Sequence, residues 1–209
     1  MALDLEEQEQ VEELKAWWKQ HGNLIVAVIL AVAIAFAGWQ GWRWYSASQA
    51  AQAAAVFDAL AKAAQGGDAK ALRDSAGTLI ESYPRTLYAS MGALVAARFH
   101  FDRNDSKSAK AQLQWVVDNA PSDDFRDIAR LRLAAVLLDE KAYDEALKVL
   151  DAKHAAAYES QYAALRGDAL LAKNQRDEAR AAYKLALEKA GQQGAFRETV
   201  RMRLEALGG

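Results

Sequence analysis

Between Lys19 and Arg43 the chain carries no charged side chain, and Gly22 to Trp42 reads GNLIVAVILAVAIAFAGWQGW. A helix rises about 1.5 Å per residue, so about 20 such residues cross a hydrocarbon core of about 30 Å. A core helix of a soluble protein would keep a polar stripe, and Leu24 to Ala37 has none. Aromatic residues bracket the run: Trp17 and Trp18 before it, then Trp39, Trp42, Trp44 and Tyr45, with Arg43 among them. Such rings favour the two bilayer interfaces. The pattern predicts one membrane-spanning helix over residues 22–45, with these seven residues at its interfaces.

Ala35-Phe36-Ala37 has the small-x-small form of a signal-peptide exit, but residues 1–21 hold six carboxylates and only two lysines. That is a poor basic start for a cleaved leader, and the helix reads as a permanent anchor. Lys15 and Lys19 precede it and only Arg43 follows closely, which leans towards a cytoplasmic amino terminus. Small residues recur at Ala27, Ala31 and Ala35 and at Ala33, Ala37 and Gly41, a spacing that lets a second membrane helix approach.

Ahead of the anchor, Val11, Leu14 and Trp18 share one face of a helix whose other sides carry Glu6, Glu9, Glu12 and Glu13. The polar face is acidic, where a membrane-surface helix is normally basic. Residues 1–21 are therefore either a docking handle for a basic partner or a solvated lead-in.

From Ser46 onward, alanine and leucine recur at helical spacing, only Pro84 and Pro121 interrupt, and no alternating strand pattern occurs. The expected fold is all-α: a transmembrane helix followed by a solenoid over residues 46–209. Breaks fall at Gly66-Gly67, Pro84, Asn104-Asp105, Pro121, Lys141, Asn174 and Gly191, leaving segments the size of the two helices in a repeat. In the best-formed unit, 160–190, Gly167 is followed by Leu170, a turn at Asn174, then Ala179, Tyr183 and Ala186. This is similar to the tetratricopeptide pattern, in which a small residue marks the close approach of paired helices. The preceding unit repeats it with Ala134, Leu137, Lys141, Ala146 and Leu150, and Ala146 lies 33 residues before Ala179. Weaker copies are built around Ala97, Asn104-Asp105, Ala109 and Leu113, and around Gly66-Gly67, Ala71 and Pro84. Four helix pairs and a closing helix, Ala195 to Leu207 with Arg197, Arg201 and Arg203 facing water, are expected. Stacking is needed because one pair cannot bury its apolar face alone.

Charge in this domain is nearly balanced, which excludes a strong field for nucleic acid. There is no cysteine, so thiol chemistry is excluded. His21, His100 and His154 lack metal-ligand spacing, and no phosphate-binding glycine loop occurs. Asp123-Asp124 and Asp139-Glu140 read as caps or solvated carboxylates at helix starts and turns. No catalytic residue, metal or cofactor is assigned, and the chain is not read as an enzyme.

The order of an acidic start, Gln10-Val-Glu12-x-x-Lys15-x-Trp17-Trp18, Gly22, the apolar run, Gly41-Trp-Arg43-Trp-Tyr45 and tetratricopeptide-like pairs resembles the YfgM family. The family comprises proteobacterial inner-membrane proteins that are ancillary subunits of the SecYEG translocon. The resemblance spans essentially the whole chain and implies a single-pass anchor with a cytoplasmic amino terminus and a periplasmic domain. It also implies association with the translocon and with periplasmic chaperones, among them a membrane-anchored protein similar to peptidyl-prolyl isomerases.

Tetratricopeptide stacks bind along the concave face lined by the first helix of each pair. Placed on this sequence, that face takes Leu94, Arg98 and Phe101, then Leu131, Ala135 and Leu138, then Ala164, Asp168 and Leu171. The stripe is mostly apolar, suited to a partner helix or an unfolded exported segment, and each of its residues could equally be packing core. It lacks the lysines and asparagines with which carboxylate-clamping relatives hold a chain terminus. Three functions compete: a translocon accessory that passes emerging proteins to chaperones, an envelope scaffold, and a stress-response regulator acting through the acidic cytoplasmic segment.

Overall fold

The computed structural model describes residues 2–191 and 194–208, with side chains from residue 10 onward. Side chains of the acidic start up to Glu9, and residues 192 and 193 just past the Gly191 break, lie outside the described residues. Among the described residues every element is helical: α1 (Ala2–Gly66), α2 (Ala69–Ser82), α3 (Leu87–Phe101), α4 (Ser106–Asn119), α5 (Asp123–Asp139), α6 (Tyr143–Leu150), α7 (Glu159–Ala172), α8 (Arg176–Lys189) and α9 (Ala195–Glu205). The chain divides into two compact units, residues 1–48 and 49–209.

In the first unit, α1 is long and apolar enough to cross a membrane. From Val26 to Ala47 every residue is exposed, and Ile34 and Trp44 keep 72% and 76% of their surface free. Each large apolar side chain left in water forgoes about 1.5–3 kcal/mol. A run this long, apolar and exposed has the length and composition of a membrane-crossing helix. The Arg43 guanidinium lies 4.9 Å from the centre of the Trp39 ring, which holds a charge beside an aromatic at one end of the run.

In the second unit the helices follow one another as antiparallel pairs. The carboxy-terminal part of α1, from Gln49 on, pairs with α2; α3 pairs with α4, α5 with α6 and α7 with α8, and α9 closes the series. One turn is used four times. Gly67, Asn104, Lys141 and Asn174 all have φ between 60° and 73°. In each, the amide of the next residue donates to the carbonyl five positions back: Asp68 to Ala63, Asp105 to His100, Ala142 to Leu137 and Gln175 to Leu170, at 2.9–3.0 Å. This is the Schellman closure, which satisfies a helix's last carbonyls while reversing the chain. Asp68, Thr86 and Asp105 cap the following helices by accepting backbone amides at 3.0–3.3 Å. At Asp105 the bonds from Ser108, and behind them the charge of His100, hold the carboxyl below its usual range.

Packing is continuous along the series. Leu60, Leu72, Leu79 and Phe99 join α1, α2 and α3. Leu113, Val116, Leu133 and Leu137 join α4 to α5. Leu150 and Tyr162 carry the core across to α7, and Tyr183 and Val200 carry it on to α9. Gly167 is where α7 and α8 come closest: a Cβ there would lie 2.5 Å from the Tyr183 ring. Gly92 plays the same part on α3, where a Cβ would meet Leu79 at 2.4 Å.

The junction between the third and fourth pairs also holds a buried polar cluster. Asp127 is 1% exposed and accepts from Arg130 at 3.0 Å, the Ala155 amide at 3.0 Å and the Tyr162 hydroxyl at 3.2 Å. His154 stacks on Tyr162 with ring centres 3.9 Å apart and meets Glu159 at 3.1 Å. In the closing helix Arg201 and Arg203 are exposed and Arg197 is partly covered. Arg201 pairs with Glu198 in the open, while Arg203 grips Asp168 and Arg197 donates to the Leu187 carbonyl. The α9 arginines Arg197 and Arg203 thereby engage groups on α8 and α7.

Candidate partner-binding groove

The four shared turns put the first helices of the pairs in register. Counting back from Gly67, Asn104, Lys141 and Asn174, one stripe reads Phe57, Ala61 and Ala64 on α1; Leu94, Arg98 and Phe101 on α3; Leu131, Ala135 and Leu138 on α5; and Ala164, Asp168 and Leu171 on α7. The helical spacing of 3.6 residues per turn places each set on one face.

Two cavities open along this face. One, of about 430 Å³, is lined by Arg98, Phe101, Arg132, Ala135 and Val136 with Leu113 behind them. The other, of about 510 Å³, is lined by Phe57, Leu94, Arg98, Phe125 and Arg132 among others. Both are in the size range of pockets that take a ligand or a few side chains, about 300–1,000 Å³. The walls are mainly apolar and the charges on them are mainly guanidinium.

Of the nine residues expected at the groove, Arg98, Phe101 and Ala135 line the first cavity, and Leu94 and Arg98 line the second. Leu94 is only 6% exposed and belongs to the core between α3 and α5, so a charge there strikes folding as well as binding. Leu131 and Leu138 line neither cavity and pack against the cores on either side of α5. On α7, Ala164 is buried and Leu171 packs beside it. Asp168 accepts from the Tyr183 hydroxyl at 2.7 Å and from Arg203 at 2.8 and 2.6 Å.

Several residues that line the cavities escape the sequence stripe, Phe57 and Arg132 among them. Phe57 belongs to the same register in the first pair, and counting back from Gly67 would have found it. Arg132 is one position off the stripe, where a spacing of i, i+4, i+7 cannot reach, yet it borders both cavities. Partial desolvation against the groove walls, and after it the charge of Arg98, pull the still-exposed Arg132 guanidinium below its usual range.

The chemistry-bearing residues elsewhere are spent on structure. His21 faces the Trp17 carbonyl at 3.2 Å, His100 meets Asp105 at 3.1 Å, and His154 is held by the Ala152 carbonyl and Glu159. Asp123 pairs with Arg126 in the first turn of α5, and Glu140 pairs with Lys110. Among the described residues no group of three or more His, Asp or Glu side chains converges as metal ligands would.

Residues 15–209 match the model of a tetratricopeptide repeat-like domain. The chain is 32% identical over 208 residues to the ancillary SecYEG translocon subunit of Neisseria gonorrhoeae, covering 99% of this chain and 100% of that one. Similarity to the protein of the same name from Haemophilus influenzae is 32% over 196 residues, 93% of each chain. For the Escherichia coli protein it is 29% over 202 residues, 96% of each.

Proposed function

The chain belongs to the tetratricopeptide repeat-like family of ancillary SecYEG translocon subunits, and from that premise we propose that it is a membrane-anchored, non-catalytic accessory of the SecYEG translocon. Residues 22–45 anchor it in the bacterial inner membrane as a single pass, with Trp17 and Trp18 at one interface and Trp39, Trp42, Arg43, Trp44 and Tyr45 at the other. Residues 1–21 face the cytoplasm and residues 46–209 form the periplasmic domain. There the groove over the first three helix pairs holds emerging exported polypeptides or a chaperone, including a membrane-anchored protein similar to peptidyl-prolyl isomerases.

The observation that carries this reading is similarity to translocon subunits from end to end, anchor included, where a generic repeat match would cover the pairs alone. The two apolar cavities support a binding role, and the names of the relatives support an accessory one.

A photo-crosslinking residue at Trp42 or Tyr45, introduced in cells, tests it. Products containing translocon subunits are expected, and protease added to spheroplasts should degrade residues 46–209. A domain that resists protease while an exported control is cut would place it in the cytoplasm and overturn the reading. Absence of translocon products would also overturn it.

A further inference from the structure

Resting on that reading of the groove, we propose a selectivity: the groove takes segments carrying a carboxylate side chain flanked on both sides by large apolar residues, with the carboxylate gripped between Arg98 and Arg132.

Charge supports this first. The cavities are bordered by three guanidiniums, Arg98, Arg103 and Arg132, against one carboxylate, Asp102. Asp102 is engaged by Arg98 at 2.8 Å. Arg103 lies 3.5 Å from the centre of the Phe99 ring and donates to the Phe99 and Gly67 carbonyls at 3.5 and 3.4 Å. Among the described residues Arg132 has neither ion pair nor hydrogen bond, and the charged group it faces is the like-charged Arg98. Five donors without an acceptor, beside a second cation and over apolar walls, form a site that an incoming anion completes. The planar fork of a guanidinium matches a carboxylate two bonds at a time.

The position of the pair decides between kinds of carboxylate. Arg98 and Arg132 border both cavities and are the residues the two share, with Phe101, Ala135 and Val136 lining the one and Phe57, Leu94 and Phe125 the other. A chain terminus would fill one cavity and leave the other empty. An Asp or Glu within an apolar stretch fills both. The groove is therefore read as a reader of internal acidic-apolar segments, unlike a clamp for a terminal carboxylate.

The test uses the full chain in lipid nanodiscs and fluorescent helix-forming peptides of Leu and Ala with blocked ends. One peptide has a central Glu, a second has Gln there, a third has Lys, and a fourth is the Gln peptide with a free terminal carboxylate. The Glu peptide is expected to bind about tenfold more tightly than its Gln twin, the scale of one charge-assisted pair. Arg132→Gln should bring the Glu and Gln peptides to equal affinity, whatever it does to binding overall, and Arg132→Glu should turn the preference towards Lys. Arg132 is exposed, so the variants' helical circular dichroism should equal the parent's. Equal binding of Glu and Gln peptides by the parent chain would overturn the selectivity and leave the groove reading standing. Preference for the terminal carboxylate, or discrimination that survives Arg132→Gln, would overturn it likewise. Binding of none of the four would sink both.

Discussion

Asp127→Ala tests whether the buried polar cluster between the third and fourth pairs holds the stack together. The Asp127 side chain is 2% exposed and that of Arg130 is 20% exposed. Removing the carboxylate strands three donors at once: the Arg130 guanidinium, the Ala155 amide and the Tyr162 hydroxyl. A buried neutral donor left without a partner costs about 1–3 kcal/mol. Breaking a well-buried ion pair costs about 3–5 kcal/mol, but Arg130 is near enough to water, and to the Lys153 carbonyl at 3.5 Å, to recover part of that. The loss should then be about 3–4 kcal/mol. Asp127→Asn keeps the shape and one accepting oxygen for Arg130 and Tyr162 but turns an amide NH2 towards the Ala155 amide, so a smaller loss than that of the Ala variant is expected.

In a stack whose units touch only their neighbours, a junction defect stays local. Urea unfolding followed by circular dichroism should show the loss. Hydrogen exchange should rise in α7 to α9 and not in α2 to α4, and the native groove should bind peptides with unchanged affinity. A cost below about 1 kcal/mol for the Ala variant would show that the carboxylate is not the element that joins the pairs.

Two further outcomes follow from single groups. Lys141 occupies the left-handed region at φ 62°, which costs an L-residue about 1–2 kcal/mol, part of it offset by glycine's added freedom when unfolded, about 0.4–1 kcal/mol. Lys141→Gly should therefore raise the calorimetric Tm by about 2 °C, and an unchanged or lower Tm would refute strain at that turn. Burial, and then the charge of Asp127, push the Tyr162 phenol up to about 12, whereas the unfolded chain titrates near 10. Stability from the protonated phenol is present below pH 10 and lost as pH rises towards 12, so Tyr162→Phe should flatten the alkaline fall of Tm. A fall of the same slope in the variant would refute it.

The fold was legible because its signals are local. The charge-free run needs only composition, and the turns at Asn104, Lys141 and Asn174 end apolar periods that single residues punctuate. Gly167 could be read as a close approach because nothing else fits against the Tyr183 ring. The groove was less legible, because periodicity gives the direction of a side chain and not what covers it. Leu138 and Leu171 have the spacing of Phe101, yet they pack on neighbouring cores and it borders a cavity. Nothing local marks Asp127 as buried, since its partners Ala155 and Tyr162 lie 28 and 35 residues away.

The same register that carries Arg98 on α3 carries Asp168 on α7, and their different fates bear on what the groove recognises. Asp168 is held at both oxygens by Arg203 of α9, at 2.8 and 2.6 Å, while Leu204 and Val200 pack against the apolar residues around it. A helix lies there against the first helix of a pair, with apolar contacts and one ion pair in which a single guanidinium nitrogen reaches both carboxylate oxygens. At Arg98 and Arg132 the signs are reversed: the stack supplies the guanidiniums, and the described chain supplies no carboxylate to Arg132. α9 is thus an intramolecular example of the docking inferred for a partner, with the cation on the incoming helix. If that geometry is general to this register, reversing the charges of the α9 pair together, Asp168→Arg with Arg203→Asp, should retain stability that either change alone loses. A double variant no more stable than the singles would mean that the bond depends on its particular surroundings, and the likeness to the groove would then carry no weight.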